Sequence, residues 1–234
     1  FKSIYDRVLD NGKLAKLYYF DQVSSTLEVV NLLQNQPQLF ATYPQFLDDC
    51  KAGTLPDYCF VEPNYSDHDG PGGNLIASDQ HPDHHVAEGE RFIASIYQAI
   101  RKNPALWAST ALLITYDEHG GIYDHVPPPA CMPDGFVAQP NATKTGEPFH
   151  FDRLGVRVPA ILVSPWVQKG TVVHKRADGT ERIFEHASIP NTVSKWLLPD
   201  FNDHDRSPRE AAAETFLDLL TLPVMRPDCP EFTL

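Results

Sequence analysis

Apolar residues at Ile4, Val8 and Leu9 recur at helical spacing and Gly12 supplies a stop, so the chain is predicted to open on a helix. Leu17-Tyr18-Tyr19-Phe20 then reads as a short buried strand. Weaker helical patterns cover residues 27–33 and 43–50, and a breaker at 53–56 precedes a second apolar run at 58–61, read as another strand. Val86, Phe92, Ile93, Ile96, Tyr97 and Ile100 share one helix face, which Asn103-Pro104 ends. Residues 111–116 follow, continuously apolar apart from Thr115, the pattern of a parallel-sheet strand covered on both faces. A similar run occupies 158–163, and Ser188-Ile189-Pro190 opens a helix to about residue 198. This alternation predicts an α/β fold, with a mostly parallel central sheet flanked by helices. Ligands in such folds bind beyond the carboxyl ends of the strands, where Asp117 and Glu118 stand.

Two stretches break the pattern. Residues 62–85 are loop chemistry, rich in Asp, Asn, Gly and Pro and ending in His81, His84 and His85. Residues 127–149 are a Pro- and Gly-rich excursion expected to flank the site as a surface loop. Both are placed inside one domain spanning 1–234, and a further hairpin or loop is expected at 174–184, turning at Asp178-Gly179.

Composition narrows the partners. No apolar run approaches the roughly 20 residues of a membrane span. The net charge of −12 repels a polyanion, and no cluster of Lys and Arg offsets it, which argues against nucleic acid. It does not argue against phosphate esters, because a bound cation reverses the local field. Cys50, Cys59, Cys131 and Cys229 show no C-x-x-C spacing, and a Cys50–Cys59 pair or two buried thiols are equally compatible with the sequence. N-x-S/T sequons lie at Asn64 and Asn141. Phe1 in place of Met suggests a chain cut from something longer.

The densest polar constellation is YDEHGGIYDHVPPP, residues 116–129. Two adjacent carboxylates repel unless a cation or a proton compensates, and carboxylate oxygens suit a hard divalent ion. A solvated strand end is the alternative. His81, in SDQHPDHH, has the chemistry to bind a metal or to stabilise a phosphoryl oxygen. His84 and His85 begin the following helix, and His186 reads as a surface residue. No G-x-S-x-G elbow, Walker A loop or H-E-x-x-H pair is present, so a serine-hydrolase triad is unsupported.

The blocks FKSIYDRVLDNG, LPDYCFVEPNY, DQHPDHHVAEGERFIASIYQAI, ALLITYDEHGGIYDHVPPP, FDRLGVRVPAILVSPWVQKGTVVH and FEHASIPNTVSKWL together resemble the phosphoesterase family of bacterial phospholipases C, related acid phosphatases and plant non-specific phospholipases C. The resemblance implies the C-terminal portion of an alkaline phosphatase-like fold. It implies a divalent metal ion, of no assigned identity, held partly by Asp117 and Glu118, with His81 as the active-site histidine. His119, His125 and Glu62 are carried over as substrate-side candidates, with bracing of the turn as the other role for Asp124-His125. Family members also carry an upstream Glu-Asn-Arg-Ser-Phe-Asp type motif and a Ser or Thr nucleophile; neither is found here, so the chain alone is expected to be inactive. The implied substrate is a phospholipid or a small phosphate ester, with peripheral membrane contact and a secreted or periplasmic location. The competing expectation is a non-catalytic remnant that acts as a binding or structural module.

Overall fold

The computed structural model describes residues 2–30, 33–70, 73–136, 148–176, 178–198 and 206–231. They cluster into two compact units: one holds the chain up to Arg7 with Thr115–Ile161 and Val167–Thr221, the other Val8–Ile114, Leu162–Trp166 and the chain from Leu222 on.

The unit built on Val8–Ile114 carries a parallel three-stranded sheet of β1 (Ala15–Tyr19), β2 (Phe40–Thr42) and β3 (Tyr58–Glu62), in the order β2-β1-β3. Tyr18 lies opposite Ala41 on one side and Val61 on the other. Successive residues of a strand face opposite sides, and Leu17 and Tyr18 are both fully buried, so the central strand is covered on both faces. On one face α3 (Tyr43–Ala52) sets Phe46 edge-on to Tyr18, ring centroids 5.3 Å apart. Ile96, Tyr97 and Ile100 of α4 (Val86–Arg101) and Trp107 of α5 (Pro104–Ala108) complete that core. The helix after 85 follows its apolar stripe from Phe92 on, whereas Val86, at its first position, is exposed. Replacing the fully buried Phe46 by alanine is expected to cost about 3–5 kcal/mol by urea denaturation. A loss below about 1 kcal/mol would show that the site collapses around the gap.

Helix α3 stops at Gly53, which adopts φ 71° and donates its N–H to Cys50 O at 3.2 Å. Asn103 joins this end to the next helix: its side-chain oxygen accepts from Leu106 N and its amide donates to Cys50 O. The 27–33 helix is shorter than its pattern suggests, ending at Val29 as α2 (Ser25–Val29), with Ser24 as N-cap.

The 62–85 stretch departs from the expected loop. It contains an antiparallel hairpin, β4 (His68–Gly70) and β5 (Gly73–Leu75), with His68 opposite Leu75. Polar side chains organise it, so hydrophobic periodicity gives no sign of it. Asn64 is fully buried and donates its side-chain amide to Ser66 O and Ile76 O, at 2.8 and 3.0 Å, while Asp67 accepts from Ala77 N at 2.8 Å. Both amide hydrogens of Asn64 are thus engaged, which closes its sequon in the folded chain; Asn141 lies outside the described residues.

All four cysteines are free. Burial pushes the Cys50 and Cys59 thiols up to about 12, so little thiolate forms at neutral pH. Native protein at pH 8 is expected to leave both unmodified by a disulfide-exchange reagent, with full labelling in denaturant. Fast native labelling of either, mapped by mass spectrometry, would contradict this burial.

β6 (Leu112–Thr115) and β7 (Ala160–Val163) form a separate two-stranded sheet. The expectation of a strand covered on both faces is corrected here: β6 is half-buried throughout, and Ile161 of β7 is 56% exposed. Each strand has only the other as its partner among the described residues, so less of its surface is covered.

In the other unit, residues 129–131 near the start of the 127–149 excursion pair with residues 152–154 just beyond it. Cys131 N donates to Asp152 O and Leu154 N to Pro129 O, each at 2.9 Å, and Ala130 bridges Arg153 antiparallel. Phe151 packs edge-on against Phe136 and Phe149; residues 137–147 lie outside the described residues. A tight turn sits at 174–182, where Arg182 N donates to His174 O and Gly179 takes φ 84°. Helices α6 (Ser188–Leu197) and α7 (Pro208–Ala212) pack through polar groups: Asn191, Thr192 and Ser194 are fully buried, and Asn191 donates to Ala213 O. The first turn of α1 (Ile4–Asp10) joins them through Arg7, which forms a bidentate pair with Glu210. Ser3 and Asp6 cap that turn reciprocally, as Ser3 N donates to Asp6 Oδ2 and Asp6 N to Ser3 Oγ.

Candidate functional site

The apolar run of β6 ends at Thr115, and the chain turns into solvent at Asp117 and Glu118, both exposed. Asp117 Oδ1 accepts from Glu118 N at 2.9 Å, and His119 Nδ1 lies 3.3 Å from Glu118 Oε2. Gly120 and Gly121 follow with φ 64° and 70°, the left-handed conformation that glycine takes without steric cost, and Ile122 N closes the turn on His119 O. Asp117, Glu118 and His119 thus sit together on one exposed turn.

Two braces hold this turn. Asp124 accepts from Arg157 Nε and Nη2 at 2.7 and 2.8 Å, and from Val126 N at 3.1 Å. The Arg157 guanidinium holds the Asp124 carboxyl well below the usual carboxylate range. His125 is 81% exposed, and its Nδ1 is 3.6 Å from Asp124. The second brace is His186, whose Nε2 donates to Tyr116 O at 2.7 Å, one residue before the carboxylate pair. His186 is exposed, as expected of a surface residue, and also lies near the carboxylate turn, the other position open to a histidine at this helix start. Its position in FEHASIPN, just before α6, is the only hint, and it names no partner 70 positions away.

A depressed carboxyl stabilises the fold above its unfolded value of about 4 and loses that contribution as pH falls through the lower folded value. Arg157→Ala is therefore expected to be less stable than the unmodified chain at pH 6, with the gap closing below about pH 4. Parallel urea curves at pH 6 and pH 3 check this, and a gap that widens in acid would refute it.

The carboxylates of Asp117 and Glu118 are hard oxygen donors, adjacent in sequence and open to solvent, the donor chemistry that a divalent cation takes. No group of three or more His, Cys, Asp or Glu side chains that could hold a metal is found among the described residues.

His81 and Glu62 belong to the Val8–Ile114 unit. His81 is exposed and follows Gln80, a non-glycine residue at φ 63°. Glu62, the last residue of β3, is 1% exposed; its Oε1 accepts from Thr26 N at 2.8 Å and from the Thr26 hydroxyl, holding the start of α2. Its Oε2 is buried without a hydrogen-bond partner among the described residues.

Residues 2–198 match the model of the phosphoesterase family. The chain is 41% identical over 239 residues to non-specific phospholipase C1 of Arabidopsis thaliana, covering 98% of this chain and 42% of that protein. It is 42% identical over 240 residues to non-specific phospholipase C4 of the same plant, covering 98% and 41%. Phospholipase C A of Mycobacterium tuberculosis is 34% identical over 149 residues, 61% of this chain and 26% of its own length. The chain therefore spans about two fifths of the length of the plant relatives it matches. A family match that runs through the Asp117-Glu118 turn, with plant relatives aligned over nearly the whole chain, identifies it as a member of the phosphoesterase family.

Proposed function

We propose that the protein containing this chain hydrolyses the phosphoric ester of phospholipids, with metal-dependent chemistry at Asp117 and Glu118. The observation that carries the reading is the exposed carboxylate pair on the turn after β6, in a chain whose relatives are named phospholipases C. A divalent ion bound there would polarise a phosphoryl oxygen and lower the barrier to in-line displacement.

The side chains supply the rest. Asp117 and Glu118 bind, with Asp117 oriented by the Glu118 backbone N–H. His119, 3.3 Å from Glu118, is placed to steady that carboxylate. His81 stabilises charge on the phosphoryl group or protonates the leaving oxygen. The attacking Ser or Thr hydroxyl is assigned to a residue outside these 234. A net charge of −12 favours a zwitterionic lipid surface over an anionic one. Peripheral contact with a lipid surface is part of this proposal; no helix among the described residues is long and apolar enough to cross a membrane.

Phosphatidylcholine and p-nitrophenyl phosphate, offered with and without a chelator, test the reading. The expected result is lipid hydrolysis that the chelator abolishes and an added divalent ion restores. Hydrolysis unaffected by thorough chelation would overturn the metal, and turnover of neither ester would favour a binding module.

A further inference from the structure

The segment before α4 is built more rigidly than an exposed histidine loop requires. Asp79 Oδ1 lies 2.6 Å from His84 Nδ1, close enough for a strong Nδ1–H to carboxylate bond that fixes the tautomer and ring plane of His84. The His84 ring stands against the His81 ring, centroids 5.8 Å apart and planes at 56°. His84 N also donates to His81 O at 2.7 Å and closes the turn.

Between them Gln80 takes φ 63°, a conformation that side chains other than glycine rarely adopt and that persists where the surroundings impose it. Those surroundings are visible. The Gln80 amide donates to Val86 O at 3.0 Å and to Glu90 Oε1 at 3.2 Å, which fastens it to the first turns of α4. Its aliphatic part lies on Gly89, where an added Cβ would come within 2.1 Å of Gln80 Cγ. Only glycine at 89 lets the side chain lie there.

From this we infer that Asp79, Gln80 and His84 are positioning residues that hold the His81 ring in one orientation for a phosphoryl group. Asp79 fixes His84, the His84 ring backs His81, and the Gln80–Gly89 contact sets the backbone from which His81 projects. The inference rests on the role given to His81 above and adds the device that sets its geometry.

The test uses the protein containing this chain, labelled with ¹⁵N-histidine, with inorganic phosphate and phosphocholine as probes. Expected for the unmodified chain are a His84 ring protonated at Nδ1 and a His81 ring resonance that shifts on adding either probe. Asp79→Asn and Gly89→Ala, each judged folded from its amide spectrum, should weaken half-saturation of that shift by about tenfold or more. Asp79→Glu, which keeps the acceptor, should recover part of it. Equal responses in the unmodified chain and Asp79→Asn, or a His84 ring protonated only at Nε2, would overturn the positioning inference and leave the role of His81 standing. A His81 ring that neither probe moves in the unmodified chain would overturn that role, and the positioning with it.

Discussion

Asp117→Asn is expected to lower phospholipid hydrolysis by the protein containing this chain by more than about 100-fold while leaving its urea midpoint unchanged. Residues that merely support a metal ligand typically change affinity or activity 10–100-fold, so loss of a direct ligand should exceed that range. The substitution removes a charge and little else. Asp117 is exposed, and the bond its Oδ1 accepts from Glu118 N is one that an asparagine oxygen also makes. A neutral amide oxygen remains a weak donor to a hard cation, so high concentrations of divalent ion should restore part of the activity. Initial rates at several ion concentrations, set beside denaturation curves, decide the matter. Unchanged turnover would remove Asp117 from the metal site.

Glu210→Ala is expected to destabilise the chain by about 3–5 kcal/mol, because it strands a buried charge. The Arg7 side chain is 2% exposed, and its guanidinium meets Glu210 through two bonds of 2.7 and 2.9 Å, with Ser194 Oγ at 3.1 Å. Without the carboxylate, the buried Arg7 guanidinium loses both charge-assisted bonds to α7, and either it stays in place without them or α1 moves away from α7. Replacing both partners together, as Arg7→Met with Glu210→Leu, should cost much less than the single change, since the desolvation of both charges disappears. Urea midpoints of the three proteins measure this. A single-variant loss below about 1 kcal/mol would show that Arg7 reaches solvent without Glu210.

Much of this architecture is written in periodicity. The stripe from Phe92 to Ile100 gave the core face of α4, and the run through Leu17 and Tyr18 gave a central strand buried on both sides. The same pattern puts Asp117 and Glu118 at a strand end, although the run before them is half-buried rather than covered on both faces. Apolar pattern carries no information about polar fastening. The β4–β5 hairpin hangs on the side chains of Asn64 and Asp67, and the pairing of 129–131 with 152–154 on backbone bonds beside prolines. Neither leaves a hydrophobic period. The short strand β2, at three residues, is likewise too brief to show one. The bond from His186 to Tyr116 joins positions 70 apart and depends on how the chain returns in space, and single residue types do not announce that.

The bidentate contact of Arg7 also sets a timetable for biosynthesis. It joins positions 203 apart, with nearly all of the Val8–Ile114 unit translated in between. At ribosomal speeds of about 5–20 residues per second, Arg7 waits roughly 10–40 s for Glu210 to emerge. Throughout that interval the Ser3–Asp6 cap can close the first turn of α1, but Arg7 lacks the Glu210 carboxylate it meets in the fold, and the nascent chain offers that guanidinium to chaperones and proteases.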